Sequence, residues 1–231
     1  MTWSLLARDA DGAFGIAIAS RFFAVGALCP YAKSGVGAIA TQALANPNYA
    51  APGLDLLAQG TPPAEAIRVL TAADAGRDHR QLHMIDAMGR SAAYTGRACI
   101  EWCGQRAGEG YSIAGNMLVG PQVLAETAGA YERGTTLPLA ERLLAALEAG
   151  DAAGGDKRGR QAAAILVATT EDYPSLDLRV DDHESPFTEL RRLYEKSLER
   201  FQPFVACLPS HADPAGVTDR AGTPARGLGR R

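Results

Sequence analysis

Two short apolar runs at the very start of the chain, joined by four turn residues, constrain its fold more than any other feature. In residues 2–8, Trp3, Leu5 and Ala7 alternate with Thr2, Ser4, Leu6 and Arg8, the period of a strand that begins almost at once. Asp9-Ala10-Asp11-Gly12 is turn chemistry, with Gly12 suited to a positive φ. Residues 13–20 (AFGIAIAS) are apolar on both faces, which marks a covered strand rather than an edge. A chain that opens with a hairpin buried on both sides must build the rest of its sheet around its own beginning.

The remaining pattern supplies that surround. A third strand is expected over 35–43, a turn at 46–49, and a short helix over 54–59. A second helix starts at Thr61-Pro62, with Thr61 as N-cap and Pro62 at the first helical position. Residues 80–86 and 90–95 read as a hairpin, and 111–118 as a strand running into Gly115-Asn116. Helices follow over 120–131 and 139–147, then a charged glycine-rich loop over 154–160. Strands at 162–168 and 176–180 and an amphipathic helix at 186–200 complete the pattern. Periodicity ends near residue 202, so 1–202 reads as one domain and 203–231 as a disordered tail. Strands, then helices, then strands, then a helix indicate α+β rather than alternating βαβ, an order that two antiparallel sheets covered by helix layers would suit. The 44 alanines and 25 glycines suit such flat layers by letting them approach closely.

A net charge of −3 argues against nucleic acid as a partner, because that partner needs a basic face. No run of eighteen apolar residues is present to span a membrane, and no basic segment precedes the first apolar residues as a secretory signal requires. A cytoplasmic location is the expectation. Cys29, Cys99, Cys103 and Cys207 then read as buried thiols rather than a disulfide framework.

The sharpest chemical candidate is Thr2. A small residue at position 2 permits removal of Met1, and the freed α-amine, with a pKa near ~8, can act as base for its own hydroxyl. Asn116, beside Gly115, offers an amide donor of the kind an oxyanion hole uses, and Gln42 and Asn46 are further amide candidates. Asp156, Lys157 and Arg158 lie in the glycine-rich loop, which suits an anionic substrate group, and Arg21 is a further cation for that role. Lys33 is a candidate for lowering the amine pKa. Each has a plainer alternative: position 2 is often Thr without meaning, Asn beside Gly marks turns, and charged loops are often only solvated. His79, His83 and His183 lack the spacing of a known metal motif, so neither metal nor cofactor is expected.

Several blocks together resemble domain-of-unknown-function family 1028. They are residues 2–9 (TWSLLARD), 19–26 (ASRFFAVG), 40–43 (ATQA), 115–118 (GNML), 153–161 (AGGDKRGRQ) and 177–183 (DLRVDDH). That family is placed among the N-terminal-nucleophile (Ntn) hydrolases, so the resemblance implies a four-layer αββα sandwich with Thr2 on a central strand. It also implies attack by an exposed Thr, Ser or Cys on an amide carbonyl, through an acyl-enzyme that water releases. Proteasome-like members of the superfamily carry a strand lysine near the nucleophile, the role that Lys33 would take. Ala50 and Ala162 depart from the family pattern, which usually has glycine and serine there. Two functions follow. The first is an amidohydrolase on a small amide, N-acyl compound or short peptide, with Arg21, Lys157 and Arg158 holding a substrate carboxylate. The second is a non-catalytic Ntn-fold protein that binds a small carboxylate or phosphate metabolite. A third, metal-dependent hydrolysis through His79, His83 and His183, has the least support, and homo-oligomerisation is left open.

Overall fold

The computed structural model describes residues 2–219. The opening hairpin forms as its pattern requires. β1 (Thr2–Arg8) pairs antiparallel with β2 (Phe14–Ser20), Thr2 opposite Ser20 and Arg8 opposite Phe14. Gly12 takes a φ of 88° in the turn, and Asp9 Oδ1 accepts a hydrogen bond from Ala13 N at 2.8 Å. After the hairpin come α1 (Val25–Leu28), β3 (Pro30–Lys33), β4 (Gly37–Ala43), α2 (Ala50–Ala58) and α3 (Pro63–Ala72). Next are β5 (Arg80–Asp86), β6 (Ser91–Thr95), β7 (Trp102–Gly108), β8 (Tyr111–Leu118), α4 (Gln122–Arg133) and α5 (Leu139–Ala152). The described chain closes with β9 (Ala162–Ala168), β10 (Leu176–Val180), α6 (Pro186–Glu199) and α7 (Phe201–Val205).

The strands form a six-stranded sheet, ordered β10-β9-β2-β1-β8-β7, and a four-stranded sheet, ordered β3-β4-β5-β6. The hairpin is therefore the middle of the larger sheet. Successive side chains point to opposite faces, so β1 serves two layers at once. Its odd positions, Trp3, Leu5 and Ala7, pack under α4, α5 and α6 in one core, where Trp3 stacks on Phe187 at 5.9 Å. Of its even positions, Leu6 meets Phe14, Ile16, Ala38, Ala40 and Ile85 between the sheets. α2 and α3 cover the outer face of the smaller sheet against Ile39, Leu82 and Met84. The result is a four-layer αββα sandwich.

Small residues bring these layers together. A Cβ on Gly15 of β2 would stand 2.5 Å from Leu143 Cδ1 of α5, and one on Gly53 of α2 would stand 2.7 Å from Ile39 Cδ1. Neither distance is compatible with a larger side chain in the present packing.

Several expectations need correction. Between the hairpin and residue 35, where the pattern assigned no element, the structure has α1 and β3. Pro62 is the N-cap and Pro63 takes the first helical position, one residue later than expected. β7 was not anticipated, because an outer strand with exposed residues (WCGQRAG) carries no alternation to read. The disorder expected from residue 203 does not extend over 203–219. α7 runs through Val205, Tyr173 Oη donates to Pro209 O at 2.8 Å, and Val217 N donates to Cys207 O at 3.0 Å. The rest of that tail, 220–231, lies outside the described residues. Among the described residues no helix is long and apolar enough to cross a membrane.

Candidate active site

Antiparallel pairing places Thr2 between Ser20 of β2 and Asn116 of β8. Thr2 is only 5% exposed, and its Oγ1 donates to Ser20 Oγ at 3.0 Å. Its backbone carbonyl is held by two side-chain amides. Asn116 Nδ2 donates to Thr2 O at 3.3 Å, and Gln42 Nε2 donates to it at 3.4 Å from the opposite sheet. Both amides are oriented by Gln81, whose Oε1 accepts from Gln42 Nε2 at 2.7 Å and from Asn116 Nδ2 at 3.1 Å. Gln81 Nε2 in turn donates to Gly115 O and Thr95 Oγ1, each at 2.9 Å. Three buried amides thus clamp the first strand where it begins.

The network continues one layer deeper. Ser4, two positions along the same face of β1, donates its hydroxyl to Gln42 Oε1 at 2.7 Å. That uses its one O–H, so the 2.7 Å contact with His83 Nε2 requires the ring nitrogen to donate. His83 Nδ1 then accepts from Ser112 Oγ at 3.0 Å. Complete burial pushes the His83 pKa down from 6.5 to about 3, so the ring is neutral, as this pattern demands.

Thr2, Gln42 and Asn116 line a cavity of about 670 Å³ between the ends of the two sheets. Four non-glycine residues in the described chain have left-handed backbone: Ala24, Ala43, Glu101 and Met117, with φ between 52° and 66°. Ala43 directly follows Gln42, Met117 directly follows Asn116, and both line the cavity, while Ala24 and Glu101 adjoin its lining residues Val25 and Ile100. Such conformations persist only where surrounding contacts impose them, and they concentrate at functional sites. A second cavity, about 560 Å³ beside the 169–175 loop and the 202–217 segment, contains none of the expected site residues.

The other candidates divide. Arg158 lines the cavity. Asp156 does not, because its buried carboxylate accepts from Arg21 N and Arg158 N, both at 2.8 Å, and fastens the glycine-rich loop to the end of β2. Arg21 Nη1 donates to Arg158 O, and Lys157 pairs with Glu101 at 3.3 Å. Asn46 Oδ1 accepts from Asn48 N at 3.2 Å and caps a 3-10 turn over Pro47–Tyr49. Lys33 lies opposite Gly37, five positions along β4 from Gln42, which is roughly 16 Å of strand. The antiparallel turn carries it away from Thr2. The three histidines are not brought together either: His79 lines the cavity, His83 sits between the sheets, and His183 Nδ1 accepts from Ser185 N at 2.9 Å. Among the described residues no group of three His, Cys, Asp or Glu could hold a metal ion.

Sequence reasoning missed Gln81, Ser20 and Arg80. The available signal for Gln81 was a long polar side chain in a strand (RQLHMID) that is otherwise largely covered. Arg80 Nε bonds Asp74 Oδ2 at 3.1 Å while its Nη1 donates to Leu44 O at 2.6 Å, fixing one cavity wall. Tyr49 Oη donates to the same Asp74 at 2.6 Å, and these bonds hold the Asp74 carboxyl well below the usual range.

The fold is a four-layer αββα sandwich with its first residues on a central strand that opens into a cavity, the architecture that the family resemblance implied. Comparison with known proteins narrows this: the family of unknown function DUF1028 matches residues 2–190, and the chain belongs to that family. Protein SPO2555 from Silicibacter pomeroyi, of the same family, is 31% identical with a TM-score of 0.87, over 94% of this chain and 99% of that one. Anbu (ancestral beta-subunit) from Yersinia bercovieri is 14% identical with a TM-score of 0.42, over 90% of this chain and 98% of that one. No curated protein matches the sequence.

Proposed function

We propose that this protein is an amidohydrolase of the Ntn type, with Thr2 as nucleophile once Met1 is removed. The freed α-amine accepts the Oγ1 proton as Oγ1 attacks the substrate amide carbonyl. The tetrahedral intermediate collapses, the C–N bond breaks, and the leaving amine takes the proton. Water, activated by the same α-amine, then hydrolyses the ester to Thr2 and returns the enzyme. The observation that carries this reading is the clamp on Thr2: Asn116 and, more weakly, Gln42 donate to the carbonyl of a residue that lines the cavity. A nucleophile at a chain terminus needs such restraint, because a terminal residue otherwise frays.

Asn116 enters this mechanism as a positioning residue, since its amide is directed at Thr2 O and Gln81. Ser20, bonded to Thr2 Oγ1, is placed to orient the hydroxyl. The substrate is a small amide, N-acyl compound or short peptide. Turnover of an amide panel by wild type but not by Thr2→Ala, with both proteins folded, supports the proposal. Turnover retained in Thr2→Ala removes it.

A further inference from the structure

The cavity at Thr2 has two chemically different parts. Phe22, Leu28, Leu44 and Ile100 present large apolar side chains there, exposed by 51%, 39%, 62% and 60%. Apolar surface gathered around a concave site is characteristic of ligand contact, because scattered exposure would not collect there. Among the described residues, the ionisable side chains that line the same space include two arginines, Arg80 and Arg158, and no Asp or Glu. Arg80 is turned into Asp74 and the Leu44 carbonyl. Arg158 projects from the glycine-rich loop with 42% of its side chain exposed, and its guanidinium stands 3.4 Å from Asp156 Oδ2. The backbone of that loop is fastened independently by Arg158 N on Asp156 and by Arg21 on Arg158 O. The cation therefore has a fixed base beside an apolar surface.

We infer that the site takes an N-acylated amino acid. Its carboxylate pairs with Arg158, and its acyl chain lies against Phe22, Leu28, Leu44 and Ile100. The amide carbonyl between them is then left at Thr2. This deepens the proposed hydrolysis and rests on it only for the position of the amide. If cleavage follows, water adds across the C–N bond and the products are a carboxylic acid and a free amino acid. A cavity of about 670 Å³ accommodates a medium-length acyl chain with its amino-acid head.

The test uses the full-length Thr2→Ala protein, so that binding is read without turnover. Calorimetric titration compares N-octanoylglycine, N-octanoylglycinamide and N-acetylglycine. The octanoyl acid is expected to bind at least about tenfold tighter than its carboxamide, the ratio a charge-assisted contact supplies. It should exceed the acetyl acid by more, since each methylene fully buried contributes roughly fourfold. Adding Arg158→Gln should abolish the preference for acid over carboxamide and leave the chain-length preference. Adding Leu44→Ser should do the reverse. Should Arg158→Gln fail to fold, Arg158→Lys, which keeps the charge without the planar fork, is expected to retain part of the preference. Equal binding of acid and carboxamide, equal binding of octanoyl and acetyl compounds, or no binding of any of the three overturns the inference. The expected ranking in Thr2→Ala, combined with no cleavage by wild type, would leave this inference standing and remove the proposed hydrolysis.

Discussion

Acid should weaken this fold through the buried imidazole of His83. The ring is fully enclosed between the sheets, bonded to Ser4 and Ser112, and burial lowers its pKa to about 3. In the unfolded chain the same ring titrates near its ordinary ~6.5. Between those two values the unfolded state binds a proton that the folded state refuses. Stability is therefore complete above the unfolded pKa and falls as pH drops below it, levelling off only near the folded pKa. The slope approaches ~1.4 kcal/mol per pH unit, so moving from pH 6 to pH 4 removes about 2–3 kcal/mol. That is a large share of the ~5–15 kcal/mol typical of a domain. Asp74, whose pKa is lowered, contributes in the same direction but chiefly below the ordinary aspartate value. The comparison is between wild type and His83→Gln, whose amide can still donate to Ser4 and accept from Ser112 but does not titrate. Urea melts of both proteins from pH 7 to pH 4.5 give the slope directly, whatever the absolute stability of the variant. Wild type should be steeper by about 1 kcal/mol per unit below pH 6. Parallel curves would refute the reasoning, since they require a histidine that can charge in place.

Other substitutions probe the clamp, the layers and the chemistry. Gln81→Leu removes the acceptor shared by Gln42 and Asn116, leaving one Asn116 N–H without its partner while Gln42 keeps Ala114 O and Thr2 O, and should lower stability by about 1–3 kcal/mol in urea melts. A loss below ~1 kcal/mol would mean the amides find other partners. Gly15→Ala drives a methyl against Leu143 of α5 and should cost about 1–3 kcal/mol by thermal melting, whereas an unchanged Tm would show that α5 can shift freely. If the Thr2 amine is the base, turnover should rise with pH to a plateau above a midpoint near ~8, because the amine must be neutral to accept the proton. A rate independent of pH between 6 and 9 would exclude that base.

What could be read in the sequence follows the range of the forces involved. The β1–β2 hairpin and its central place were legible because a strand apolar on both faces can only be covered. The layer order was not; it came with the family resemblance. Thr2, Gln42 and Asn116 could be chosen individually, yet their convergence depends on a register, Thr2 opposite Asn116, that periodicity does not contain. Lys33 shows the converse. The strand lysine of proteasome-like proteins suggested nearness to Thr2, but β3 turns back along β4 and leaves Lys33 at the far end. Asn46 and Asp156 were chosen as ligand groups, and both bind backbone N–H groups of their own loops instead. Amide and carboxylate oxygens serve caps as readily as ligands, so residue type alone could not separate the roles. Gln81 was missed because its importance lies in two sheets meeting face to face.

The Thr2 hydroxyl is the proposed nucleophile. Intact and peptide mass analysis of the protein after treatment with a reactive β-lactone tests it most directly. The expected result is a chain lacking Met1, a single adduct located on Thr2, and no adduct in Thr2→Ala. Met1 retained in protein that turns over an amide, or an adduct that persists in Thr2→Ala, would contradict it.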